Sequence, residues 1–480
     1  MTDLNQFHHF YLMGLKGVAM TSLAQLLLDW HKQVSGCDVA DGFVTQKLLN
    51  KLQIKVDQGF IHQLPQDVDC VIYTEAHGGV KNPIVLQAQE KKIAIFSQAE
   101  ALSYFFNQKK GVAVCGVGGK TTVSSMITWI LVKNNLQPSF SVGVGEILGL
   151  PNTGSWNHES DIFVAEADEY MMNNSNNDEP SSLIPRFSFL NPAITVCTNL
   201  EYDHPDVYHS LQHTQQVFTQ FFLQTQTNGS LIFNQDCQHL AEVYGQISAQ
   251  LQQHQIKLKT FAAQNEDKAD AILLDSQIIN QINQAEVLID GEKYTLTLKL
   301  PGRFNLLNAL AATLACQELG VSIINCLSAL QTFQGTQRRF EFIGDKKGVL
   351  YYDDYAHHPS EIEQTIKALN QWHPNKRKVI VFQPHTYSRT KEMQDEFAQA
   401  LAVADEVILL DIFPSARENY DPNISSDMLV AKINQSNQTK KVANLKTIES
   451  LADYCHNQLH SGDVLLTMGA GDIYQVHELI

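Results

Sequence analysis

One stretch constrains this chain more than any other. Val112 to Cys115 reads as an apolar strand, and Gly116-Val117-Gly118-Gly119 as a turn. Lys120-Thr121-Thr122 then opens a helix whose apolar face carries Val123, Met126, Ile127 and Ile130. A strand, a glycine turn and a helix make a βα unit, which calls for a parallel sheet with helices on its faces. Glycines let backbone N–H groups close around an anion, and a helix N-terminus adds partial positive charge. The pattern G-x-x-x-x-G-K-[ST] is not met in full, because Val114 stands five places before Gly119. What stands is Gly116, Gly118, Gly119, Lys120 and Thr121, followed by Thr122. In that frame Lys120 is expected to reach the outer phosphates of a nucleotide and Thr121 to ligate Mg²⁺. The competing reading is a plain glycine turn with a surface lysine.

The same grammar recurs on both sides. "FHHFYLMGLKGVAMTSLAQLLLD" reads as strand, glycine turn and helix, the helix burying Val18, Leu23, Leu26 and Leu27. "QVSGCD" is a second strand ending at Asp38. Gly14-Leu15-Lys16-Gly17 is a poor dinucleotide turn, since Lys16 stands where a backbone must approach a pyrophosphate, although Asp38 lies at the spacing of a ribose contact. The polar piece at 107–111 is a plausible linker. Asp290-Gly291, between alternating runs, marks a hairpin. "RFNLLNALAATLACQELG" reads as a helix with a glycine stop. Further on, "GVLYYDDYA", "KVIVFQPH", "EVILLDIF" and "DVLLTMGAGD" each read as a strand ending in a polar loop. Pro359 is expected near a helix start, with Ser360 and Glu363 as a capping box. The stretch 171–182 is predicted to be a mobile polar loop.

Ligands of open α/β sheets sit at the carboxyl ends of strands, and the chemistry-bearing clusters fall there. Glu166 and Asp168 end "DIFVAEADEY", and Asp203 and His204 end "ITVCTNLEYDH". A carboxylate at this place can face Mg²⁺ across the phosphates, while a histidine is an unusual donor for that ion. His357 and His358 precede Pro359 with no third ligand at motif spacing, which argues against a zinc site. His385 and Arg389 lie in "FQPHTYSRT", where the guanidinium could fork onto a carboxylate.

Composition removes other classes. The formal charge of −17 opposes nucleic acid and anionic lipid. Eight scattered cysteines without a CxxC pair signal neither zinc nor a disulfide framework. With no run of 18 apolar residues and no leader-like start, no membrane partner is expected, and a cytoplasmic location is.

Taken in order, the Gly14–Met20 turn, "AVCGVGGKTT", "VAEADE", "TNLEYDH", "PGRFNLLNALAA", "RRFE", "YDDYAHHPSEI", "FQPHTYSRT" and "LLTMGAGDIY" resemble the Mur ligase family over nearly the whole chain. The resemblance implies an α/β protein of three domains. Residues 1–108 would be Rossmann-like and hold a UDP-sugar. Residues 109–335 would form a P-loop ATPase-like domain with a mostly parallel sheet. Residues 336–480 would again be Rossmann-like and bring the amino acid. It also implies an ATP- and Mg²⁺-dependent ligase, acting as monomer or homodimer, that joins L-alanine to the carboxylate of UDP-N-acetylmuramate through an acyl phosphate. On that likeness Lys120 and Thr121 meet ATP phosphates and Mg²⁺, and Glu166 and His204 meet metal. Asn305 and Asn308 face adenine, Arg339 lies in the nucleotide site, and Asp354 meets the ribose. Gly14, Lys16, Gly17, Asp38, His357, His385 and Arg389 line the substrate sides. The chain departs from the family pattern at Val117 and Gly118 (usually Thr-His), at Phe304 (usually His) and at Thr386 (commonly Arg). No lysine occurs between Lys133 and Lys257, which favours the alanine-adding or the tripeptide-recycling branch. A degenerate nucleotide or UDP-sugar sensor is the non-enzymatic alternative.

Overall fold

The computed structural model describes residues 3–173, 183–263, 269–415, 418–436 and 441–480. Its strands form three large sheets and one two-stranded ribbon. The first sheet runs Lys55–Gln58, Gln33–Asp38, His9–Met13, Cys70–Tyr73, Ala94–Ser97, all neighbours parallel. His9–Met13 is buried along its length, as a central strand covered on both faces should be. Helix Val18–Asp29 follows its turn and buries Leu23, Leu26 and Leu27, while Val18 stays half-exposed at the rim of a cleft.

The second sheet has ten strands. At its centre Lys110–Cys115 lies between Ile194–Cys197 and Ile162–Glu166, parallel to both. Strands Ile282–Ile289 and Glu292–Leu298 at one edge pair antiparallel across Asp290 (φ 51°) and Gly291 (φ 83°). Two successive left-handed residues are the turn that the Asp-Gly pair favours. Helix Arg303–Gln317 packs on helix Lys120–Lys133, and its chain turns away at Gly320, φ 86°. The third sheet orders Glu341–Lys346, Val349–Asp354, Val464–Met468, Lys378–Phe382, Glu406–Leu410, Lys441–Lys446. It is parallel except for the first pair. This is the expected α/β fold with mostly parallel sheets.

Two further local expectations are corrected. Helix Pro359–Trp372 does begin at its proline, but the cap is His358, whose imidazole accepts the Ser360 N–H. Ser360 turns its hydroxyl to Glu201 (2.9 Å), and Glu363 pairs with Lys367 (2.6 Å), so no Ser360–Glu363 box forms. Nor is 171–182 polar loop from its first residue: Met171–Asn173 pairs with Leu183–Pro185, and Met171 and Met172 are buried. The rest of that stretch, 174–182, lies outside the described residues. Among the described residues no helix is long and apolar enough to cross a membrane.

Candidate active site

The strand order places the glycine turn at the carboxyl edge of the central sheet, with the ends of both neighbouring strands beside it. Gly116 has φ 123°, and a Cβ there would lie 2.3 Å from the Thr198 hydroxyl, so glycine is required. Asn199 accepts the Gly118 N–H at 3.0 Å, and Thr198 donates to the Gly118 carbonyl. Gly119 (φ 84°) caps helix Lys120–Lys133 and sits against the Asn308 amide oxygen. The turn is therefore braced from the next strand, and its helix N-terminus opens onto a cleft.

That cleft has two chambers. One, of about 1000 Å³, is lined by Gly118, Gly119, Thr122, Asn305, Asn308, Arg339 and Asp354, with Phe304 among its apolar walls. The other, of about 570 Å³, is lined by Gly17, Gly119, Lys120, Thr121, Glu166, His204, Arg339 and His357. Gly119, Arg339 and Glu361 belong to both linings, so the chambers meet across the turn. Most of the residues singled out from the sequence thus come together from three sheets. Arg339 crosses from the C-terminal part to donate to the Thr121 hydroxyl at 3.3 Å. Asp354 accepts from the Phe340 and Ala356 backbone, both at 2.6 Å, and burial pushes its carboxyl up to about 7. Asn305 donates to the Pro301 carbonyl (2.7 Å).

Others turn away from the cleft. Lys16 donates its ammonium to the carbonyls of Val39 (2.7 Å) and Asp41 (2.8 Å), and Asp38 accepts the Lys16 and Val39 N–H groups. Their side chains shape the loop at 39–41. Gly14 packs against Thr74. Arg389 places Nε (3.0 Å) and Nη2 (2.8 Å) on one oxygen of Asp203, both side chains 4% exposed. The fork exists, and its carboxylate is the chain's own, reached from the far sheet. His385 approaches Arg389 Nη1 at 3.5 Å.

The charges are dense, and Asp203 and Glu169 among them are buried. Burial raises the Glu166 carboxyl, which accepts the Gly143 N–H at 2.9 Å. Desolvation also opposes ionisation of buried Asp203 and of half-exposed Asp168. Arg186 overrides it at Asp168, and His204 with Arg389 at Asp203, so both carboxyls stay below the ordinary range. Burial works against a charged His204, yet Asp203 and Glu169 lift it above the ordinary histidine value. His357 is half-buried, and desolvation with the charge of Arg389 pulls it down to about 3. The residue that sequence reasoning missed is Glu169. It accepts from Lys120 Nζ at 2.8 Å and faces His204 Nε2 at 3.5 Å. Its signal was present as the last acid of "AEADE", though nothing local separates it from Glu166 and Asp168.

Among the described residues no three His, Cys, Asp or Glu side chains converge as a ready-made metal cage. Mg²⁺ commonly takes one or two carboxylates, with phosphates and water completing its shell. Glu166, the Thr121 hydroxyl and an unpartnered oxygen of Glu169 supply a donor set that fits such an ion.

Three family models match successive parts of the chain. They are described as the Mur ligase family, catalytic domain (residues 9–110), the Mur ligase middle domain (114–316) and the Mur ligase, glutamate ligase domain (338–471). The chain belongs to the Mur ligase family. This Mur ligase is 35% identical over 485 residues to the UDP-N-acetylmuramate–L-alanine ligase of Clostridium kluyveri, covering 99% of this chain and 98% of that one. It is equally 35% identical to the protein of that name from Acetivibrio thermocellus, covering 99% and 96%. In fold it is similar to the UDP-N-acetylmuramate-alanine ligase of Thermotoga maritima (TM-score 0.79, 24% identity, 98% and 97% covered). It is also similar in fold to a murein peptide ligase from Psychrobacter arcticus (TM-score 0.70, 20% identity, 98% and 97% covered).

Proposed function

We propose that this Mur ligase uses ATP to join L-alanine to the muramyl carboxylate of UDP-N-acetylmuramate, a step of peptidoglycan precursor synthesis in the cytoplasm. The observation that carries the reading is the two-chambered cleft crossing the phosphate turn. The names of relatives alike over the full chain support the substrates. In this reading residues 1–108 hold the sugar nucleotide, 109–335 the ATP and 336–480 the amine. Asn305, Asn308 and Asp354 receive the nucleoside in the larger chamber. The turn Gly116–Thr122 cradles the phosphates, so that the terminal one points into the smaller chamber, where Gly17 borders the sugar side.

A carboxylate does not condense with an amine in water, because oxide is a poor leaving group. Phosphorylation of the carboxylate makes it a good one. In this reading Lys120 and Arg339 spread the charge that develops on the transferred phosphoryl group. Thr121, Glu166 and the unpartnered oxygen of Glu169, with His204 beside them, would hold Mg²⁺, which when bound neutralises phosphate charge. The amine then attacks the acyl carbon and phosphate departs. His357, held neutral by burial, keeps a proton-accepting nitrogen at the amine side. The Asp203–Arg389 pair docks the C-terminal sheet over the site, which excludes water from the acyl phosphate. The test is a panel of L-alanine, glycine, L-serine and a stem tripeptide with ATP, Mg²⁺ and UDP-N-acetylmuramate, reading phosphate release and product mass together. L-Alanine should give the highest kcat/KM. A preference for the tripeptide would move the chain to the recycling branch, and phosphate release with no amine would overturn the ligase reading.

A further inference from the structure

Glu169 is 3% exposed and lies three residues beyond the strand end at Glu166. Its backbone carbonyl accepts from the Tyr208 hydroxyl at 2.5 Å, which fixes the residue in place. Oε1 accepts from Lys120 Nζ at 2.8 Å, and Oε2 is buried without any hydrogen-bond partner. Lys120 also donates to the Gly116 carbonyl at 2.6 Å, so its ammonium is folded back onto its own turn. Burial works against this ammonium, and Glu169 with its acidic neighbours outweighs it, leaving Lys120 above the ordinary lysine value.

Lys120 thus has two mutually exclusive demands. An ammonium that swings to a terminal phosphate leaves Glu169 behind as a buried carboxylate whose remaining cationic neighbour among the described residues is His204, 3.5 Å away. A buried ion stripped of its partner is strongly unfavourable. The orphan oxygen and the departing ammonium together define a place for a replacement cation, at the wall of the chamber that Thr121 and Glu166 also line. We infer that Glu169 is a positioning residue that holds Lys120 in the nucleotide-free protein and releases it to the triphosphate only when a divalent cation takes its place. Nucleotide and metal then bind as a coupled pair, each raising the affinity for the other by the same factor. No covalent step is involved. The inference rests on the nucleotide reading of the cleft given above.

Calorimetric titration of the full chain with ATP, in EDTA and in Mg²⁺, tests it. The wild type should bind ATP about tenfold or more tighter with Mg²⁺, within the usual range of such coupling. In Glu169→Gln the metal-free affinity should rise, since the competitor for Lys120 is gone, and the ratio between the two conditions should fall toward one. Equal ratios in the two proteins would overturn the inference, as would a Glu169→Gln variant that binds metal-free ATP more weakly. A wild type that binds no ATP in either condition would instead overturn the nucleotide reading. A second variant does not depend on the folding of the first. In Lys120→Met, Mn²⁺ binding to the nucleotide-free protein, read by electron paramagnetic resonance, should tighten because the ammonium no longer fills the place. Unchanged or weaker Mn²⁺ binding would contradict the inference.

Discussion

Replacing Arg389 by Met tests how the C-terminal sheet is held over the phosphate turn. The guanidinium puts two hydrogen bonds, 3.0 and 2.8 Å, on the same oxygen of Asp203, and both side chains are 4% exposed. Breaking a buried ion pair from one side costs about 3–5 kcal/mol, because a charge stays behind uncompensated. Asp203 keeps the His204 N–H at 2.7 Å and the nearby imidazole, which places the expected loss at the lower end, about 3 kcal/mol. That is roughly a hundredfold in the docking equilibrium. The assay is a double-mutant cycle: denaturant unfolding of wild type, Arg389→Met, Asp203→Asn and the double variant, with small-angle scattering to detect separation of the sheets. Coupling of about 2 kcal/mol is expected, since these groups share one network. The Asp203 carboxyl lies well below its usual value. Its contribution is therefore complete above the unfolded-state value and is lost only as pH falls through the depressed one, so the coupling should be flat from pH 5 to 8. Coupling under about 0.5 kcal/mol, the worth of an exposed pair, would refute the reasoning.

Other perturbations have equally definite outcomes. Lys120→Ala should fold normally, by far-UV circular dichroism, and lose at least about 10²–10³ in turnover, the usual effect of deleting one charge-stabilising donor. His357 falls to about 3 through burial and the neighbouring Arg389, with Glu361, Asp203 and His385 also facing it. Its folded-state value lies below the unfolded one, so it withdraws stability as pH drops from about 6.5 toward 3, by up to about 1.4 kcal/mol per pH unit. Melting curves of His357→Asn should accordingly decline less steeply between pH 6.5 and 4 than those of the wild type.

Much of the fold was legible because its signals are local. Asp290 and Gly291 can take left-handed conformations in succession, and the strands they join alternate, so the hairpin follows from chemistry within a few residues. Pro359 lacks an N–H that the first helical turn does not need, and the helix starts there. The cap was misplaced because the Ser360 hydroxyl is drawn to Glu201, 159 residues away in sequence. Met171 and Met172 sit beside a polar stretch, yet pairing with Leu183–Pro185 buries them. The candidate site divides in the same way. The glycine turn 116–119 is one contiguous motif, and its place between a strand and a helix reads directly. The partner of Lys120 is one of three acids within four residues, and only the tertiary path of the strand end selects Glu169 over Glu166 and Asp168. Arg389 reads as a fork without a target, because Asp203 lies 186 residues earlier. The resemblance puts Lys16 on the substrate side, and only the folded loop shows its ammonium spent on backbone carbonyls.

The central claim is that the phosphate turn hands the terminal phosphoryl group of ATP to the acid borne by the sugar. Turnover of UDP-N-acetylmuramate carrying ¹⁸O in its lactyl carboxylate, with ATP, Mg²⁺ and L-alanine, follows that oxygen directly. Mass spectrometry of the released phosphate should find one carboxylate oxygen in each molecule. Phosphate bearing only solvent oxygen as its newcomer would contradict the account, since water rather than the carboxylate would then have taken the phosphoryl group.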